Sequence, residues 1–166
     1  HIALRRLNGE EASDWYTPFD NVRIRLSDEG TLVIHAPNVC ADELTTNDIA
    51  EINEEGKFRI LGRKDNTINS GGVKIQIEQV EACLKKHLDV PFQITARPDA
   101  KFGEIVVLLY NKVMDEASVR QVCEEALPTY WVPKAYIAVE ELPMTGTGKP
   151  DRATARRLAS LPCHPE

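Results

Sequence analysis

The feature that most constrains this chain is a change of hydrophobic period at Gly62-Arg63-Lys64-Asp65. Before it, apolar and polar residues alternate, as in Val22-Arg23-Ile24-Arg25-Leu26, the turn Ser27-Asp28-Glu29-Gly30 and Thr31-Leu32-Val33-Ile34. The pattern recurs in residues 49–52, the turn Asn53-Glu54-Glu55-Gly56 and residues 57–61. Alternation on both sides of a Gly-containing turn predicts antiparallel strands, because successive strand side chains point to opposite faces. Residues 14–20 read as a loop carrying Trp15, Tyr16 and Phe19. Four or so strands with exposed aromatics rarely close a core of their own, so this part reads as incomplete.

Beyond the change, a polar run over residues 66–72 ends in a Gly pair. Ile77, Val80 and Leu84 then fall at helical spacing, which predicts an amphipathic helix over residues 77–87. Residues 93–96 and 105–110 read as strands, the second apolar enough to be central. A second helix is expected over 117–126, stopped before Pro128, then a strand over 135–139. A last helix is expected over 151–161, with Asp151 at its N-terminus. The fold class is therefore α+β: a small mixed α/β domain over residues 63–166, preceded by an incomplete antiparallel β subdomain over 1–62.

Bulk properties narrow the function. The 166 residues, 42% of them hydrophobic, can bury a real core. A net charge of −6 gives no global attraction to nucleic acid or to an anionic membrane, so neither is an expected partner. No apolar run approaches the roughly 18–20 residues that span a bilayer. His1 follows no start Met and no signal-peptide core, so the chain reads as beginning inside a longer protein. Cys40, Cys83, Cys123 and Cys163 lack paired spacing and read as free thiols of a reducing cytoplasm. The four histidines are equally scattered, and no metal site is expected in the chain.

Three segments could carry chemistry. Pro143-Met144-Thr145-Gly146-Thr147-Gly148-Lys149 is a Gly/Thr-rich loop ending in a lysine, a mobile point charge suited to an anionic oxygen. It lacks the spacing of a Walker loop, and by itself also reads as a flexible turn. The junction from Gly62 through Ser70-Gly71-Gly72 would suit a hinge feeding a ligand loop, or an ordinary hairpin. Thr46-Asn47-Asp48 offers a carboxylate beside a strand, whose paired acceptor oxygens could hold a ribose diol.

Their order and spacing resemble the adenylate-forming superfamily of acyl-CoA synthetases, peptide-synthetase adenylation domains and luciferases. Thr46-Asn47-Asp48 stands where that family has T-G-D, and the run from Asn53 through Gly62-Arg63-Lys64-Asp65 resembles its G-R-x-D hairpin and hinge. Ser70-Gly71-Gly72 with Glu78-Gln79-Val80-Glu81 is similar to its S-G-G and E-x-V-E segment. Pro98-Asp99 with Gly103-Glu104 resembles P-D-x-x-x-G-E, and the run from Pro143 to Arg152 the closing P-x-T-x-x-G-K-x-x-R. The resemblance runs from residue 22 to the C-terminus.

That resemblance implies a C-terminal lid domain of an AMP-forming acid–CoA ligase, whose partners are a carboxylic acid, ATP and CoA, with Mg held through the ATP. Asp48 and Arg63 would contact the ribose of ATP or AMP, Asp65 would be the hinge, and Lys149 the catalytic lysine of adenylation. Gly71, Gly72 and Lys74 would line the CoA path. Two departures stand out: Asn47 replaces the usual Gly, and Val73 and Lys74 stand where many relatives have Glu and Asn. The family's phosphate loop, adenine segment and acyl pocket would belong to an N-terminal domain outside this chain, so the chain alone is expected to be inactive. The stretches around Gly62–Asn66 and Ile75–Glu81 are most similar to the o-succinylbenzoate–CoA ligases of menaquinone biosynthesis. Other aryl or fatty acyl-CoA synthetases, and a catalytically silent lid-like module, are the alternative readings.

Overall fold

The computed structural model describes residues 1–161; residues 162–166, with Cys163 and His164, lie outside the described part. The chain divides into two compact units, His1–Asn66 and Thr67 onward.

In the first unit, β1 (Ala3–Leu4) pairs with β2 (Thr17–Pro18) inside the expected loop. A four-stranded antiparallel sheet follows in the order β3-β4-β5-β6: Arg23–Leu26, Thr31–His35, Leu44–Ile52 and Phe58–Arg63. Both turns form where the sequence places them. Ser27 Oγ accepts from the Thr31 amide at 3.1 Å, and Asn53 Oδ1 from the Lys57 amide at 2.9 Å. These short polar side chains satisfy turn amides that the ladder cannot reach. Leu32, Ala50 and Phe58 form a small buried apolar cluster, with the Tyr16 ring stacked on Phe58 at 5.3 Å. A short 3-10 turn, Lys64–Asn66, closes the unit.

Strand β5 is longer than its sequence suggests. It starts at Leu44 rather than residue 49, so Asp48 lies inside the strand rather than at its start. Polar Thr45, Thr46 and Asn47 hid it, because a strand with one wet face needs few apolar residues.

The second unit is a five-stranded sheet covered by helices on both faces. Its centre is β10 (Gly103–Asn111), antiparallel to β9 (Phe92–Asp99) and parallel to β11 (Ala135–Val139). The parallel step needs a crossover, which α2 (Glu116–Ala126) supplies. Along β10 the side chains divide strictly by parity. Val106, Leu108 and Tyr110 join the cluster beneath α1 (Ile77–Leu84) and α2, whereas Ile105, Val107 and Leu109 join Ala155 and Ala159 of α3 (Arg152–Ala159). A strand buried on both faces reads as a continuous apolar run, which is why this one was legible.

The polar run over residues 66–72 belongs to a hairpin, one of the two readings of this junction: β7 (Thr67–Ser70) and β8 (Val73–Gln76) pair and turn on Gly71-Gly72. Ile68 and Ile75, paired across it and fully buried, are its main apolar signal. Helix α1 also stops at Leu84, three residues earlier than the spacing suggests. Among the described residues no helix is long and apolar enough to cross a membrane.

Candidate functional site

The sequence candidates fall into three groups, one in the first unit and two in the second.

In the first unit the β5–β6 register sets Asp48 opposite Arg63, beside an irregularity between Ile49 and Ala50. The Thr46 hydroxyl donates to Leu32 O at 2.9 Å and accepts from the Asp48 amide at 3.1 Å, which fixes the backbone that presents Asp48. Arg63 Nη1 lies 3.7 Å from Asp48 Oδ1, and Nη2 lies 3.4 Å from Asp65 Oδ2. Asn47 Nδ2 donates to the same Asp65 oxygen at 3.4 Å. These distances exceed those of a strong charge-assisted bond, and all three charged side chains are more than a third exposed. The cluster is thus brought together but only loosely closed, so its carboxylate oxygens stay accessible to hydroxyl donors.

In the second unit, Gly71 and Gly72 take φ of +60° and +85°. Only glycine adopts such angles without strain, and a Cβ on Gly71 would also meet Phe102 Cδ1 at 3.3 Å. The Gly71 amide donates to Phe102 O at 2.8 Å. Lys134 Nζ lies 4.2 Å and Lys101 Nζ 5.3 Å from the centre of the Phe102 ring, a cation–π arrangement that gathers positive charge beside the turn. Lys74, paired with Asn69 on the hairpin, is exposed. Sequence reading named the Gly pair and Lys74 but missed Phe102 and Lys134, which come from distant segments.

Lys149 ends a loop that is closed on itself. The Thr145 amide donates to Lys149 O at 2.7 Å, the Gly148 amide to Thr145 O at 2.9 Å, and the Asp151 amide to Pro143 O at 3.0 Å. The Lys149 side chain is exposed, with no ion-pair partner among the described residues. Asp151 caps α3 by accepting from the Thr154 amide and hydroxyl, and these bonds hold its carboxyl below the usual carboxylate range.

The loop neck is tied to α1 and β9. Arg152 meets Glu81 in a two-pronged pair at 2.6 and 2.8 Å and also donates to Ile94 O at 3.2 Å. Glu81 Oε1 accepts in turn from the Ile94 amide at 3.0 Å. Burial pulls the Arg152 pKa down, but the bonds to Glu81 and its charge outweigh that and leave it raised. Gln93 Nε2 donates to Pro143 O at 2.8 Å and approaches Met144 Sδ at 3.4 Å. Glu81 and Arg152 end two of the segments singled out in the sequence, yet their pairing was not foreseen. Their separation of 71 positions gives no local signal.

These two groups occupy opposite ends of one sheet. The Gly71–Gly72 turn adjoins Gly103 at the start of β10, whereas the Lys149 loop is fastened at Gln93, which pairs with Leu109 near its far end. Six strand residues separate the two points, about 20 Å at the usual rise per residue.

Comparison with known proteins gives a consistent picture. The family model of the AMP-binding enzyme C-terminal domain matches residues 79–149. A 2-succinylbenzoate–CoA ligase of Listeria monocytogenes is 29% identical over 83% of this chain and 33% of its own length. A peroxisomal trans-cinnamate:CoA ligase of Petunia hybrida is 35% identical over 69% of this chain and 21% of its own. The chain therefore spans a third or less of these relatives. The o-succinylbenzoate CoA synthetase of Bacillus subtilis, solved with its acyl-adenylate intermediate, shares the fold with a TM-score of 0.71 at 22% identity. That likeness covers 83% of this chain and 34% of the solved one.

Proposed function

From a chain that belongs to the AMP-binding enzymes and carries their C-terminal domain, we propose the following division of labour for an ATP-dependent acid–CoA ligase. The first unit ends the large N-terminal domain, and the second is a lid that serves two half-reactions in turn. In the first, a carboxylate oxygen attacks the α-phosphorus of ATP, the bond to the β-phosphate breaks, and pyrophosphate leaves with its Mg. Lys149 offsets the negative charge that gathers between carboxylate and α-phosphate. Asp48 accepts hydrogen bonds from the ribose hydroxyls, and Arg63 lies beside it for the ribose or a phosphate. In the second, the CoA thiol loses its proton and attacks the acyl carbonyl, and AMP leaves. Gly71, Gly72 and Lys74 line that path, where Lys101 and Lys134 add charge suited to a phosphate-bearing thiol.

The observation that carries this reading is the separation of about 20 Å between the Gly71–Gly72 turn and the fastening of the Lys149 loop. Two sites at opposite ends of a rigid sheet cannot serve one reaction centre together. A change of orientation about Asp65, at the end of the first unit, would let each serve in turn.

Within this reading o-succinylbenzoate is the first acid to try, because that relative's match extends over 83% of the chain. Other aryl and aliphatic acids follow it. The test is acid-dependent pyrophosphate release by the longer protein, with and without Lys149→Ala. Lys149→Ala should lower adenylation by about 100-fold or more while sparing thioester formation from supplied acyl-adenylate. Equal loss in both half-reactions refutes the division of labour; turnover with a different acid discards only the substrate. This chain by itself should release none.

A further inference from the structure

A lysine side chain is long and flexible, and Lys149 has no ion pair among the described residues to hold its ammonium. Its reach is therefore governed by where the loop places its Cα. The loop is closed internally, so its placement depends on its neck, and both strands of the neck are tied to adjacent residues of β9. Pro143 is held by Gln93, and Arg152 by Ile94 and by Glu81.

Gln93 is the informative residue. It is 2% exposed in a sheet whose neighbouring buried positions are mostly apolar, and its Oε1 has no hydrogen-bond partner among the described residues. A buried amide left half-satisfied destabilises a fold, and leucine of similar size would pack there without that penalty. Among the described residues its side chain bonds to the Lys149 loop alone, to Pro143 O and Met144 Sδ.

We propose that Gln93, together with the Glu81–Arg152 pair, is a positioning residue for Lys149, fixing the loop neck so that the ammonium meets the reacting phosphate at a set place. This rests on the reading of Lys149 as the adenylation lysine. Misplacing a catalytic group by about 1 Å can cost on the order of 100-fold in rate, so a loosened neck is enough to matter.

The test uses the longer protein and three variants. Gln93→Leu should leave the melting temperature equal or higher, lower the adenylation kcat about tenfold or more, and change KM for ATP less than twofold. Thioester formation from supplied acyl-adenylate should be unchanged, since that step does not use the lysine. Arg152→Lys keeps the charge but loses the planar two-pronged fit, and it should show the same split between half-reactions with some loss of stability. Lys149→Ala is the reference. If it leaves adenylation intact, the functional reading fails. If it abolishes adenylation while Gln93→Leu keeps the full adenylation rate, or loses both half-reactions alike, the positioning role is overturned.

Discussion

The two units solve the problem of holding charged residues in place by different means. In the first, Asp48, Arg63 and Asp65 lie on and just after the last two strands of a sheet whose one buried apolar cluster is Leu32, Ala50 and Phe58, and their mutual distances run from 3.4 to 3.7 Å. In the second, fifteen buried residues form one cluster and five another, and the Glu81–Arg152 pair is drawn to 2.6 Å. The first arrangement leaves carboxylates open to a ligand that supplies its own hydroxyls. The second spends close geometry on the base of a loop and leaves the lysine at its tip unattached. On the proposed reading, dense packing and a fixed ion pair accompany the group to be aimed, Lys149, whereas loose packing accompanies the group that receives, Asp48.

The largest effect that would break this comparison is on stability. Leu108 is fully buried on the face of β10 beneath α1 and α2, where rigid neighbours surround it. Leu108→Ala should destabilise the second unit by about 3–5 kcal/mol, because a tightly packed site cannot collapse around the void. Leu32→Ala, in the small cluster of the first unit, should cost less, about 2–3 kcal/mol, since partly exposed Ile24 and Ile34 can shift toward the gap. Urea unfolding of this chain followed by near-UV absorbance reads both. Equal losses would mean that the first unit is packed as firmly as the second.

Without any substitution, hydrogen exchange sharpens the same contrast. Amides of β3–β6 should exchange faster than those of β9 and β10, because few apolar side chains shield them. Uniform protection would join the two units into one cooperative block.

The contrast also explains what the sequence could reveal. Strand β10 was legible because burial on both faces makes an unbroken apolar run, and the N-cap of α3 was signalled by Asp151. In the sequence the β7–β8 hairpin is only one of two readings and its strands are not placed, because polar residues surround its buried Ile68 and Ile75. The candidate chemistry was legible where it is local, as in Thr46-Asn47-Asp48 and the loop ending at Lys149. What could not be read is what depends on distant contact. Gln93 reaches Pro143 across 50 positions and Phe102 meets Lys134 across 32, and neither distance leaves a periodic trace.

The smallest expected effect concerns acid, and it again separates the units. Only the second has α-helices among the described residues, and α2 and α3 are each capped by an aspartate whose carboxyl is held below its usual range. For Asp115 the side-chain bond from Ser118 is the main cause, and for Asp151 the backbone bond from Thr154. Both carboxyls titrate lower in the folded chain than in the unfolded one. Their stabilisation is therefore complete above the unfolded value, about pH 4, and is lost as pH falls through the lower folded value. In the first unit Glu43 and Glu55 are also lowered, first by side-chain bonds from Arg25 and Lys57, but these are solvent-accessible pairs of opposite charge that salt screens. Asp151→Asn keeps an acceptor at the cap and removes its titration. The acid limb of the second unit's stability curve should then flatten at any salt concentration, whereas Glu43→Gln should alter the first unit's limb only at low salt. If the Asp151→Asn curve keeps the full acid slope, the cap is not what ties the second unit's stability to pH. The loss would then have to come from carboxylates elsewhere in the same unit: Asp115 at the cap of α2, and Asp99, whose carboxyl accepts the Phe102 and Lys101 amides.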